Sequence, residues 1–399
     1  MSGESGSERK EFHITGVFCP GAFHCVSFLA AACVVYIVSV VSFAGEPGSS
    51  GASFLKIGGG PRAEAMGEAH SAVADDSYSA YWNPAGLGQI EYAEASFAFN
   101  RYFQDVNQQS INYVKPLASG RHAIAFSMVR LSVESFPSYN AYGAKVGETD
   151  ASDWSVAFAY GKQFPMGRKS SVGAGLSMKG IFENLGHVSA STFAMDGGLF
   201  YRVSRFAPKR PGDGFRLALA FQNLGPGLRF DSETARLPLT VRAGTAYETK
   251  ILGDKFTLAL DRTIPNDHKA YTSLGAEYWL RGMFALRSGF KFGQDEGSGF
   301  RAGMGIRVKS VDFNYSFSPF GSLGNAHRIG MAMRFGAPVE ITPLEPGNAE
   351  EFLERGRLFM EEGRYYEAIL DFNRAMEKDR GNRKALVLMK QAYEKLKKQ

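Results

Sequence analysis

The sequence predicts an all-β transmembrane barrel of about 14 antiparallel strands, preceded by an N-terminal hatch and followed by a small α-helical domain. Three observations carry that prediction. From about residue 92 to 335 the chain alternates bulky apolar residues with small or polar ones, segment after segment. The segments are mostly nine to thirteen residues long, which suits a tilted membrane strand of about 9–11 residues better than the globular mode of about 5–6. Aromatics recur near segment ends, as at Tyr102, Phe103, Tyr160, Phe164, Tyr247, Phe292 and Phe335, where an interfacial girdle would lie.

Composition narrows the alternatives. The 399 residues are 44% apolar, 13% aromatic and 21% charged, with 46 glycines, a balance that excludes a disordered chain and a coiled coil. All three cysteines (Cys19, Cys25, Cys33) lie in the leader. A chain without that leader has no disulfide scaffold, no Cys-ligated zinc and no cysteine nucleophile. A net charge of +5 is too mild and too dispersed for a nucleic-acid binder.

In chain order, the leader comes first. Residues 25–44 read CVSFLAAACVVYIVSVVSFA without a charge, downstream of Arg9 and Lys10, and Ser42-Phe43-Ala44 supplies small residues for cleavage before Gly45. Residues 1–44 are therefore expected to be a signal peptide. No second apolar run of membrane-helix length follows.

The strands carry the two-residue period. Trp154, Val156, Phe158 and Tyr160 interleave with Ser155, Ala157, Ala159 and Gly161; Phe284, Leu286, Phe290 and Phe292 oppose Ala285, Arg287, Gly289 and Lys291. Successive side chains on a strand point to opposite faces, so each segment has one bulky apolar face and one small or polar face. A soluble sandwich would turn the apolar face inward. The Gly, Ala and Ser-rich second face, with its Arg and Asp, reads instead as a lumen. Fourteen segments are expected near 92–102, 108–116, 121–133, 154–163, 170–183, 190–203, 214–223, 237–249, 254–263, 270–280, 282–293, 299–308, 310–318 and 326–335. With strand one running outward, the external links include 134–153, 224–236, 264–269, 294–298 and 319–325. The periplasmic ones are 117–120, 164–169, 250–253, Arg281 and Lys309-Ser310, with 204–213 longer than the pattern wants. An even count puts both termini in the periplasm of an outer-membrane barrel.

Residues 45–91 form the expected lead-in and hatch, and 92–336 the barrel. Within the former, Asn83-Pro84-Ala85-Gly86-Leu87 follows Ala74-Asp75-Asp76 and Tyr81-Trp82, with Gly58, Gly59, Gly60 and Gly67 upstream. This segment resembles the opening of the PorV/PorQ-like outer-membrane proteins and, more distantly, of the long-chain fatty acid transporter family. The resemblance implies a compact hatch that plugs the lumen and carries the Asn83-Pro84-Ala85-Gly86 motif. On physical grounds, a lumen of this strand number needs filling if it is not to leak, and a forty-residue segment joined to strand one is well placed to fill it. Asp75-Asp76, like Asp295-Glu296, reads as a solvated turn.

Beyond the barrel, 337–347 is a proline-containing linker and 348–399 turns helical. The latter resembles one tetratricopeptide repeat, with Gly356, Phe359, Gly363, Tyr365, Ala368, Phe372 and Ala375 where small and aromatic residues let two helices nest. A further helix is expected over 383–397. Such arrays need about three repeats to stand alone, so this one is expected to cap the barrel or to dock a periplasmic or secreted protein.

The sequence contains no GxSxG, HExxH, Walker loop or complete GxGxxG, and its seven histidines have no ligand-like spacing; no enzyme, cofactor or metal site is expected. Arg216, Arg242, Arg287, Lys291, Arg301, Arg307, Arg328 and Arg334 fall on the predicted inward face, against the acids Asp196, Asp261, Glu277 and Asp312. A basic lining would concentrate anionic solutes and grip carboxylates; equally, these groups would pair with the hatch and the lumen acids and hold the plug. Two function classes follow from the resemblance. The first, which is the expectation taken here, is passage of small hydrophobic or amphipathic, anionic molecules through a hatch-plugged lumen in contact with outer-membrane lipid. The other is a PorV-type subunit that receives secreted proteins in a type IX system.

Overall fold

The computed structural model describes residues 48–103, 105–117, 121–166, 170–186, 188–204, 214–231, 233–339 and 349–397. The expected signal peptide and most of the expected linker lie outside these residues. Fourteen strands form one closed antiparallel barrel. They are β1 (Ala93–Arg101), β2 (Val106–Pro116), β3 (His122–Tyr139), β4 (Lys145–Met166), β5 (Ser170–Leu185), β6 (Val188–Ser204) and β7 (Gly214–Leu224), then β8 (Thr240–Ile251), β9 (Asp254–Pro265), β10 (Tyr271–Leu280), β11 (Phe284–Phe292), β12 (Phe300–Val308), β13 (Val311–Pro319) and β14 (Asn325–Phe335). Each strand pairs with its neighbour in sequence, and β14 closes on β1 from Ala93↔Phe335 to Arg101↔His327. Closure removes every free edge, which a membrane span requires because lipid cannot satisfy backbone polar groups.

The bulky face points outward. Phe158 is 66% exposed, Leu286 60% and Ile329 61%, an arrangement that only a lipid surround makes favourable. The end of the barrel where β1 starts and β14 stops, here the terminal end, is joined by tight turns such as Leu252-Gly253 and Lys309-Ser310. At the first of these both residues hold positive φ, 55° and 90°, the two-residue geometry that matches strand twist. The opposite, loop end carries most of the longer links, although β5 and β6 meet there through a two-residue connection between Leu185 and Val188.

Two elements differ from the sequence reading. The link expected over 134–153 continues the β3–β4 ladder, from Phe136↔Thr149 to Tyr139↔Lys145, and is closed by Asn140, whose side chain accepts from the Tyr142 and Ala144 amides at 3.0 Å each. Both faces of this arm meet solvent, so its sequence loses the apolar period that marks the membrane strands. The strand expected from 237 begins at Thr240, because Pro238 has no N–H to donate. The link before it holds a short hairpin, Leu228–Phe230 with Glu233–Ala235.

Residues 50–90 run through the barrel interior. The segment forms a 3₁₀ turn (Ser53–Lys56), α1 (Pro61–Ala65), α2 (Ser79–Trp82) and a second 3₁₀ turn (Pro84–Gln89). It enters at the loop end, where Ser50 bridges to Arg236 and Lys56 pairs with Asp267 at 2.7 Å. It leaves at the terminal end into β1. Among the described residues, Gly48 and Val339 lie at opposite ends of the barrel, because the plug threads the lumen from one to the other. Val339 donates its amide to the Glu91 carbonyl at 2.8 Å.

The seat of this plug is a set of inward glycines. A Cβ at Gly161, Gly175, Gly198, Gly244, Gly275 or Gly289 would strike plug atoms from Met66, Gly67, Ser71, Asn83 or Pro84. The small residues of the inward face are thus the surface against which the plug backbone lies. After the barrel, α3 (Ala349–Glu361), α4 (Tyr365–Lys378) and α5 (Arg383–Leu396) pack around Phe352, Ala368, Phe372 and Ala375. A Cβ at Gly356 would collide with the Phe372 ring, and Gly363 ends α3 with φ of 76°. Phe359 stacks under Arg364, and Tyr365 faces Lys395.

Gly175→Val puts two methyl groups where Pro84 and Ala85 pass. The expected result is a displaced plug, read as raised single-channel conductance in planar bilayers with the folded barrel still heat-modifiable on gels. Gly147→Val in the solvent-exposed arm should leave conductance unchanged.

Candidate functional site

The plug is held by charge. Its stretch 61–76 (PRAEAMGEAHSAVADD) carries four acids and one arginine, and the lumen wall supplies the cations. Arg62 sits at the centre. It grips Glu277 on β10 through two bonds of 2.8 Å and reaches Asp75 at 2.5 Å and Asp76 at 3.1 Å. Glu277 accepts in turn from Arg287 at 2.7 Å. Glu64 accepts from Arg301 at 2.9 Å and from Ser318 at 2.7 Å, with Arg328 at 3.6 Å. Glu68 accepts from Lys291 at 3.0 Å. On β9, Asp261 accepts the His70 and Ser71 amides at 3.1 and 2.8 Å.

Burial alone would raise the plug carboxyls, but neighbouring cations outweigh it. Arg328 and Arg301 hold Glu64 down at about 2. Arg62, Lys255 and Arg216 hold Asp75 far below the usual carboxylate range. Asp76 is also lowered, by His70 and Arg62. Asp75-Asp76 is thus no solvated turn: both side chains are largely buried against Arg62.

Asn83-Pro84-Ala85-Gly86 is a second fixing point. The Asn83 side chain accepts from the Ala85 amide at 3.1 Å and donates to the Ser71 and Leu199 carbonyls at 3.1 and 3.2 Å. It therefore caps the turn that follows, ties two parts of the plug together and anchors them to β6. Pro84 starts that turn, and Gly86 lets the Ala74 carbonyl approach. Trp82 donates to the Gly59 carbonyl at 2.9 Å and stacks 4.8 Å from the Arg242 guanidinium.

All six basic candidates face inward, and their partners differ. Arg216 bonds Glu248 at 2.7 Å and the plug carbonyl of Val73 at 3.2 Å. Arg242 meets Trp82, Gln222 and Thr263. Lys291 and Arg301 meet plug acids, as above. Arg287 and Arg307 pair with wall acids, Arg307 with Asp312 at 2.8 Å. Sequence reasoning missed Arg62, Glu64 and Glu68. The readable signal was charge complementarity, a net-acidic plug segment facing net-basic strands.

Among the described residues, a cavity lies toward each end of the plug. The larger, about 420 Å³, opens at the terminal end and is lined by Arg202, Arg216, Arg287, Arg307, Glu248 and Trp279 among others. The smaller, about 190 Å³, lies toward the loop end between Lys56, Arg242, Tyr271, Lys291 and His268.

The family described as "Type IX secretion system protein PorV" matches residues 48–265, which include the plug and β1 to β9. The chain belongs to the PorV family. No curated protein matches it. Among solved structures, the Ralstonia pickettii toluene transporter TbuX shares 14% identity at a TM-score of 0.49, covering 70% of this chain and 99% of that one. The Pseudomonas putida toluene transporter TodX shares 11% at 0.46, covering 69% and 97%. A Pseudomonas aeruginosa FadL homologue shares 12% at 0.37, covering 69% and 96%. This PorV-family chain is an outer-membrane β-barrel.

Glu277→Ala leaves Arg62 and Arg287 facing each other without their shared acid. A loss of about 3–5 kcal/mol is expected, measured by urea unfolding in detergent. The pH dependence has a definite sign. Carboxyls depressed in the folded state stabilise fully above their unfolded value of about 4.3, and that stabilisation is lost as pH falls toward the folded value. With Glu64 at about 2, the part of plug retention that Glu64 carries should be lost, and conductance should rise, as pH falls from about 4 toward 2.

Proposed function

We propose that the protein is a plugged, non-enzymatic outer-membrane subunit of a type IX-like secretion apparatus, receiving secreted proteins rather than conducting solutes. The observation that carries this reading is the plug itself. Ion pairs to β10, β12 and β11, from Glu277, Arg301 and Lys291, together with a glycine seat, suit a barrel whose lumen stays closed. The PorV family match supplies the partner class. In this reading the loop end faces the cell exterior and the terminal end the periplasm. The helices α3–α5 then form a tetratricopeptide-like periplasmic docking module.

A second reading is passage of small hydrophobic or amphipathic anionic molecules. It is favoured by the basic basin at the loop end, where Lys56, Arg242 and Lys291 surround Tyr271. Passage would require the plug to move past its ion pairs.

Cysteines introduced at Glu68 and Lys291, whose side chains meet across the plug–wall seam at 3.0 Å, should lock the plug in place once bridged by a short, thiol-cleavable cross-linker. In a deletion strain, the cross-linked, locked protein is expected to restore surface delivery of secreted proteins as well as the wild type does. Restoration of delivery only after reduction would sink the closed-lumen reading. Uptake of a labelled fatty acid that disappears on locking would establish the second.

A further inference from the structure

The terminal-end cavity contains a cation that no described residue pairs with. Arg202 on β6 stands directly opposite Arg216 on β7 in the strand register, and like charges so placed repel. Arg216 has partners: Glu248 at 2.7 Å and Asp75 at 3.7 Å. Lys255 shares both, at 3.0 and 3.9 Å. Asp75 is already bonded to Arg62 at 2.5 Å. Arg202 forms no hydrogen bond or ion pair among the described residues, and its Nε is buried without a partner. Three wall cations thus share two acids, one of them committed to the plug. Glu91, at the exposed mouth of the cavity, is the remaining acid that faces Arg202, and it forms no ion pair with it.

A largely buried guanidinium with no direct partner among the described residues is costly. Placed in a cavity of about 420 Å³, within the usual range for small-ligand sites, it marks a position where an external anion would be stabilised. We propose that this part of the cavity is an anion site, in which the carboxylate or phosphate group of a small ligand lies against Arg202, between Arg216 and Lys255. Arg202 supplies the planar, two-pronged donor set that either group accepts. Ile90 and Tyr92 line the same cavity and would take a short apolar tail. The site lies on the opposite side of the plug from the loop-end basin. It holds whether the barrel serves export or uptake.

The test uses the full chain in a nonionic detergent, titrated calorimetrically with inorganic phosphate, acetate and dodecanoate. One equivalent of at least one of these is expected to bind. Dodecanoate binding at least tenfold tighter than acetate identifies an amphiphile headgroup as the source, and phosphate binding tightest identifies a free anion. Arg202→Gln should weaken binding at least tenfold, Arg202→Lys less, and Arg101→Gln on the lipid face not at all. Without anion, Arg202→Gln should melt no lower than wild type, since it removes a like-charge contact; with anion, only the wild type should gain. Failure of all three anions to bind, unchanged binding by Arg202→Gln, or a lower anion-free melting temperature for that variant would each overturn the site.

Discussion

The structure depends on the complementarity between a net-acidic plug and a net-basic lumen. A closed barrel without the plug would leave Arg301 and Arg328, both nearly inaccessible on its inward face, without the acid Glu64 that they face. A forty-residue segment with Glu64, Glu68, Asp75 and Asp76 has no apolar face large enough to fold independently. Brought together, the charges are paired and bonded, which is the condition under which buried charge is tolerated. Arg62 shows the logic in one residue: it is the plug's one arginine between Pro61 and Asp76, and it meets the wall's Glu277 where the wall's own Arg287 already stands.

Close packing supports that pairing. Ion pairs at 2.8–3.0 Å between plug and wall need the plug backbone within reach of the wall, and side chains on the wall would hold it off. The inward glycines remove that obstacle where Met66, Ser71, Asn83 and Pro84 pass. Asn83 then fixes the register of the plug against β6 through the Leu199 carbonyl. Gly175, Gly198 and Gly244, which weaken a strand in isolation, are therefore consistent with strong local burial here. The plug also explains the two separate cavities and the different chemistry of their walls.

The barrel was legible in the sequence because its constraint is local and periodic. Lipid on one side and a plugged lumen on the other impose opposite chemistries on alternate residues of strands such as β11 and β12, so the period of two survives without any knowledge of partners. All fourteen membrane strands, the tight turns at Lys309-Ser310, and the inward direction of the basic residues follow from it. The β3–β4 arm was not legible, because solvent on both faces imposes no alternation at Phe136 or Val146. Helices α3–α5 were readable from the change of period and from Gly356 opposite Phe372.

Tertiary structure alone decided which charges meet. Nothing in the spacing of Asp75 and Asp76 distinguishes a solvated turn from a buried clamp, since the partner Arg62 lies thirteen and fourteen residues away and Arg216 more than a hundred. Nor does the sequence tell that Arg202 and Arg216, on strands joined by a long link, face each other across one hydrogen-bonded ladder. The direction in which the plug threads the lumen, leaving Gly48 at the loop end, was likewise fixed only by closure. The sequence by itself determined a two-faced barrel with something to fill it, because those are requirements of lipid and water. The pairing of particular charges and the path of the plug depend on three-dimensional proximity between distant segments, which a one-dimensional pattern does not encode.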